Sequence, residues 1–183
     1  MRTAGEQPLP CSRYSEDFLD NQKTIKGTFM ASASEITVRP VAEPDEVRWR
    51  ELFADYREFY KLPESREVVS RVWSWIHDPD RECFGLVAEL DGKIVGIAHY
   101  RRFLRPSAGS VGIWLDDLFT SPEARGKGAG RALIARLQEI ADTEGASVVR
   151  WITAEDNEQA QALYRTLAKR TNWVTYDAPP TSG

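Results

Sequence analysis

The chain has 183 residues, 42% hydrophobic and 28% charged, which is the size and balance of one globular domain with a short tail to spare. No apolar run approaches the roughly 18 residues of a membrane span. Nor do the first thirty residues carry a secretory core, and Glu6, Glu16, Asp17 and Asp20 make them too acidic for a transit peptide, so a cytoplasmic protein with no membrane contact is expected. A net charge of −4 without a dominant basic patch argues against a nucleic-acid partner and mildly favours a cationic substrate.

Residues 1–34 are polar, Gly-, Ser- and Pro-rich and lack any apolar period, so a disordered N-terminal extension is expected there, followed by one domain over 35–178 and a flexible tail over 179–183. Ile36, Val38 and Val41 alternate with polar residues and predict a strand. From Pro44 and Asp45 a helix is predicted on the spacing of Trp49, Phe53, Tyr56 and Tyr60, and a second over Ser65 to His77 with Ser65 as its cap. Phe84 to Leu90, the Asp91-Gly92 turn and Lys93 to Tyr100 read as a hairpin. Arg101, Arg102 and Arg105 then fall in an exposed loop or strand end. Val111 to Thr120 is apolar on both faces and predicts a central strand. Beyond it come a helix (Gly130 to Glu144), a strand (Ser147 to Thr153), a helix (Asn157 to Lys169) and a last strand (Trp173 to Tyr176). Hairpins followed by strand–helix–strand give an α/β fold of mixed α+β type, a central and mostly antiparallel sheet flanked by about four helices.

Cys11 and Cys83 lie too far apart for a disulfide framework, and His77 and His99 are isolated from each other and from any ligand spacing, so no metal site is expected.

The chemistry lies in Arg125-Gly126-Lys127-Gly128-Ala129-Gly130-Arg131, between the central strand and a helix carrying Leu133, Ile134, Leu137, Ile140 and Ala141 as an apolar stripe. A helix N-terminus offers unpaired amides and a partial positive charge, glycines let a phosphate approach the backbone, and Arg125, Lys127 and Arg131 add countercharge. The plainer reading, a Gly-rich connection with surface bases, explains each part but not their coincidence. Neither a Walker loop nor the dinucleotide G-x-G-x-x-G pattern fits this spacing.

This segment matches every specified position of Q/R-x-x-G-x-G/A, and the chain resembles the GNAT (GCN5-related N-acetyltransferase) superfamily over residues 35 to 177. The resemblance implies acetyl-coenzyme A as co-substrate, its pyrophosphate on the amides of Arg125 to Arg131 and its pantetheine arm along Leu118, Phe119 and Thr120. It also implies that Asn157, in Asn157-Glu-Gln-Ala160-Gln-Ala-Leu-Tyr164, contacts coenzyme A and that Tyr164 sits near the thioester sulfur. Read alone, Tyr164 is better explained as a core aromatic, since Leu163 and Leu167 extend the same stripe.

Asp116 and Asp117, adjacent carboxylates in an apolar strand, either cap or pair with an arginine, or one of them deprotonates the incoming amine. Leu115-Asp-Asp-Leu-Phe119 resembles the LEDLF strand of small-amine acetyltransferases, with Asp116 one methylene shorter than the usual Glu. The reaction implied is direct acetyl transfer to a primary amine in a ternary complex, with the acceptor a polyamine, an amino-acid-like amine or a protein lysine. A non-catalytic acyl-coenzyme A-binding module is the rival reading. Trp73, Trp75 and Tyr60 either line the acceptor pocket or fill core. The chain either closes its sheet with one short strand or completes it across a homodimer.

Overall fold

The computed structural model describes residues 35–181. Five strands and four α-helices follow in the order β1 (Ile36–Pro40), α1 (Glu46–Phe59), α2 (Arg66–Ile76), β2 (Phe84–Leu90), β3 (Lys93–Arg105), β4 (Ser110–Thr120), α3 (Ala129–Thr143), β5 (Val149–Arg150) and α4 (Glu158–Tyr164). The strands lie side by side in chain order. Every pair is antiparallel except β4 with β5. The mixed, mostly antiparallel sheet read from the sequence is the sheet observed.

Local chemistry sets the elements. Ser65 caps α2 by accepting a hydrogen bond from the Val68 amide at 3.2 Å. Asp91 and Gly92 both have positive φ, 51° and 74°, which gives the tight hairpin turn a twist matched to β2 and β3.

Alternation along the strands sorts side chains into two cores. Leu86, Ala88, Ala98, Tyr100, Ile113 and Leu115 pack under Leu133, Ile134 and Leu137 of α3. On the other face Val87, Ile97 and Phe119 meet Trp49, Leu52 and Phe53 of α1 and Val69 of α2. Each large aliphatic side chain buried in this way contributes about 1.5–3 kcal/mol.

One residue breaks the alternation. Ile97 opposes Phe119, Ala98 opposes Leu118 and His99 opposes Asp117, but Tyr100 opposes Leu115. Asp116 is therefore the extra residue of a β-bulge. Before the bulge the odd-numbered residues of β4 face α3; after it they face α1. Both Asp116 and Asp117 consequently point to the α1 side, which an unbroken strand could not achieve.

Of the two places open to Arg101, Arg102 and Arg105, the structure gives the strand end: they close β3, which runs on because β4 begins early enough to pair Arg105 with Ser110. Three expectations are corrected. Where a strand was expected over Ser147 to Thr153, only Val149 and Arg150 pair, opposite Ile113 and Trp114. The last helix stops at Tyr164, after which Thr166 and Leu167 donate to the carbonyls three residues back. Trp173 to Tyr176 forms no strand: Trp173 is 81%, Val174 72% and Tyr176 89% exposed, and no neighbouring strand takes their backbone. The N-terminal extension expected over 1–34 lies outside the described residues.

Candidate active site

Pairing of β4 with β5 ends at Trp114, so the second half of β4 has a bare edge. The Ser121 amide donates to the Val95 carbonyl on β3 at 2.8 Å. Counting back by alternation, the Phe119 amide also faces β3, and those of Leu118 and Thr120 face the bare edge. That edge is one wall of a cleft of about 380 Å³.

The second wall is the start of α3. Gly126 and Gly128 take φ of 76° and 98°, the left-handed region that other residues enter only with strain. This turn exposes amides. Among the described residues the N–H groups of Gly126, Gly128, Ala129, Gly130 and Arg131 have no acceptor, while Ala132 is the first to close a helical bond, to Gly128 at 2.9 Å. Gly130 serves close approach instead: a Cβ there would meet Leu163 Cδ2 of α4 at 3.3 Å.

The cleft gathers most of the residues singled out from the sequence. Leu118, Phe119 and Thr120 come from β4; Arg125, Gly126 and Gly128 from the turn; Ala129, Gly130 and Arg131 from α3; Asn157 and Tyr164 from the α4 segment. Lys127 is exposed and does not line it. Arg125 lies over the Phe59 ring at 5.7 Å and donates to the Thr120 carbonyl at 3.4 Å. Arg131 donates to Thr166 Oγ1 at 2.8 Å. Both cations are thus pinned at the cleft rim.

Asn157 has structural work in hand. Its Oδ1 caps α4 by accepting from the Ala160 amide at 3.2 Å, and its Nδ2 donates to the Tyr60 hydroxyl at 3.4 Å. Tyr164 is half-buried against Trp151 and Leu163, and burial, then the nearby Tyr60, pushes its phenol up to about 12. It holds its proton throughout the neutral range.

The carboxylates stand apart from this cleft, on the α1 face of the bulge. Asp116 pairs with Arg101 at 3.2 Å, yet burial outweighs that partner and raises its pKa. Asp117 behaves oppositely. Burial works to raise it, but His99, then the Tyr56 hydroxyl, favour its ionised form and hold it below the usual carboxylate range. His99 Nδ1 lies 2.8 Å from Asp117 Oδ2, and His99 Nε2 accepts from Trp49 Nε1 at 3.0 Å. Tyr56 joins the two regions: its ring lies 5.0 Å from that of Tyr60, which lines the cleft.

Sequence reasoning found neither His99 nor Tyr56. In the sequence His99 stands isolated, because its partners lie 50 and 18 residues away. Among the described residues no group of three or more His, Cys, Asp or Glu could hold a metal ion.

A larger hollow of about 900 Å³ lies between α1 and the start of α2. Four acidic side chains there (Glu51, Asp55, Glu58, Glu64) meet four basic ones (Arg50, Arg57, Lys61, Arg66), so its charges balance and size alone does not make it the cofactor cleft.

Unpaired amides at a helix start, set beside a bare strand edge, suit the diphosphate and amide-rich arm of an acyl-coenzyme A, and the class so defined is that of acetyl-coenzyme A-dependent N-acetyltransferases. The family model described as "Acetyltransferase (GNAT) family" matches residues 49–168, and the chain belongs to that family. It is 32% identical over 143 residues to the D-amino-acid N-acetyltransferase HPA3 of Saccharomyces cerevisiae, covering 77% of this chain and 89% of that one. Over 86 residues it is 34% identical to the L-2,4-diaminobutyric acid acetyltransferase of Nocardia farcinica, covering 46% and 42%. The fold is also that of the aminoglycoside N-acetyltransferase AAC(6')-Iy solved with coenzyme A, with a TM-score of 0.71, 18% identity and coverage of 84% and 100%.

Proposed function

We propose that the chain moves the acetyl group of acetyl-coenzyme A to the primary amine of a small amino-acid-like or polyamine-like acceptor, by direct attack in a ternary complex. The observation that carries this reading is the single cleft holding both the unpaired amides of Gly126 and of Gly128 to Arg131 and the bare edge of Leu118 and Thr120. The amides take the pyrophosphate, and the strand edge takes the pantetheine arm. Similarity to enzymes named for D-amino acids and for diaminobutyric acid supports a small acceptor over a protein lysine.

The acceptor arrives as an ammonium, drawn by the fixed charge of Asp117. Asp116, the carboxylate with the raised pKa, takes its proton directly or through a water. The freed nitrogen attacks the thioester carbon. As the C–N bond forms, the carbonyl oxygen becomes an oxyanion beside the Leu118 amide. The C–S bond then breaks: Tyr164, whose phenol has kept its proton, passes that proton to the departing thiolate and regains one from the adduct nitrogen, which becomes the neutral amide. Holding amine and thioester together supplies much of the acceleration.

A second copy of the chain is the proposed partner of the C-terminal segment, on the exposure of Trp173, Val174 and Tyr176. Acetyl-coenzyme A turnover against a panel of amino acids, diamines, polyamines and lysine peptides, read by mass spectrometry, tests the whole. Acetylation of one of the small amines supports the reading; cofactor binding without transfer to any amine contradicts it.

A further inference from the structure

His99 is 2% exposed, yet both of its ring nitrogens have partners. An indole N–H can only donate. Trp49 Nε1, 3.0 Å away, therefore requires an unprotonated Nε2. The single proton of a neutral ring must then sit on Nδ1, facing Asp117 Oδ2 at 2.8 Å. An imidazolium would turn N–H against N–H at Trp49 and leave a buried donor without an acceptor, a loss of the kind that costs more than a hydrogen bond gains. The indole itself is fully buried, clamped by Phe53 at 5.2 Å and Trp73 at 5.0 Å, so it cannot turn aside.

We propose that His99 is a positioning residue of the acceptor site: Trp49 fixes it as the Nδ1–H tautomer, and in that form it holds Asp117 as an ionised acceptor turned toward the incoming ammonium. The consequence for the acceptor rests on the amine-acetylating reading above; the tautomer does not.

The surrounding groups agree. From α1 the Tyr56 hydroxyl also favours the ionised form of Asp117, and Arg57 adds positive charge. On the sheet, Asp116 is engaged by Arg101 rather than by His99. Cys83, ahead of β2, is pushed up to about 11 by burial, then by Asp116 and Asp117, and stays a neutral thiol. From α2 comes Trp73, whose ring lies 4.2 Å from that of His77. Every charged or protonated neighbour thus leaves one acceptor, Asp117, for the Nδ1 proton.

Two readouts test the proposal on the full chain. The first is a long-range proton–nitrogen NMR spectrum of histidine-labelled protein at about pH 8, where neutral tautomers give distinct patterns. With only two histidines in the sequence, a His77→Gln variant isolates the His99 signal. The expected pattern has the proton on Nδ1; a proton on Nε2 overturns the proposal, whatever the enzyme acetylates. The second is kinetic. His99→Leu should raise the amine KM about tenfold with the acetyl-coenzyme A KM unchanged. His99→Gln, which retains one acceptor and one donor, should recover most of that loss. An unchanged amine KM in a folded His99→Leu protein overturns the proposal, as does a Gln variant no better than Leu. If the Leu variant does not fold, Trp49→Phe replaces it. There the expected result is loss of the fixed Nδ1–H pattern, and its retention counts against the proposal.

Discussion

The Trp151 ring stands edge-on to that of Tyr164, at 67° with centroids 5.3 Å apart. The contact fixes the phenol at the cleft wall by packing alone, leaving the hydroxyl free for chemistry. Tyr164→Phe keeps that packing and removes only the donor. Steady-state kinetics should show kcat lowered by about 10- to 100-fold with the acetyl-coenzyme A KM nearly unchanged. An unaltered kcat would remove Tyr164 from the mechanism. Since burial lifts the phenol to about 12, its donating form persists through neutral pH and is lost only as pH rises through that value. The alkaline side of the kcat profile should therefore show no loss attributable to Tyr164 below about pH 10.

The two aspartates should separate kinetically. Asp116 has a raised pKa, so an acid limb that it controls lies above the ordinary carboxylate value of about 3.9. Asp116→Asn should lower kcat/KM and flatten that limb. Asp117 is held low and stays ionised until pH falls beneath the ordinary carboxylate range, so Asp117→Asn should chiefly raise the amine KM. Equal effects of both variants on kcat and KM would refute the division of labour.

Stability has its own test at Asp45. This carboxylate is 8% exposed, takes both Arg39 nitrogens at 2.6 and 2.9 Å and accepts the Ala42 amide at 2.8 Å, joining β1 to α1. Asp45→Ala should cost about 1–3 kcal/mol in urea unfolding at neutral pH. The Arg39 hydrogen bond, though opposed by burial, depresses the Asp45 pKa. Its contribution is therefore complete above the unfolded value of about 3.9 and lost as pH falls through the folded one, so the gap between variant and parent should narrow in acid.

The C-terminal segment makes a further prediction. If a second copy covers Trp173, Val174 and Tyr176, light scattering should give about twice the mass of one chain, and Trp173→Asp should reduce it toward one. A monomeric parent protein would contradict the assignment.

Much of this architecture was legible in the residues, because the informative signals were local. The α3 stripe, the Asp91-Gly92 turn and the glycine spacing from Gly126 to Gly130 each act within a few residues, and all are found where the sequence placed them. The bulge at Asp116 was not legible. It shows only in the register against β3, and a strand apolar on both faces hides a change of face. The His99 pair was hidden for the same reason, since Trp49 and Asp117 reach it only through the fold. At Trp173 to Tyr176 strand propensity was read correctly, but propensity without a partner strand makes no ladder.

Gly128→Glu tests the phosphate cradle. At φ of 98° any side chain costs about 1–2 kcal/mol of backbone strain, and the space beyond is open, so the fold should survive. The added charge faces the pyrophosphate position, and calorimetry should detect no coenzyme A binding by a folded variant. Binding as tight as the parent's would contradict the cradle.

The most direct measurement is a crystal structure of the chain with coenzyme A. The account predicts pyrophosphate oxygens within hydrogen-bond distance of the amides between Gly126 and Arg131, and the pantetheine arm along the bare edge of Leu118 to Thr120. A cofactor lodged in the larger hollow between α1 and α2, or anywhere else away from that edge, would contradict it.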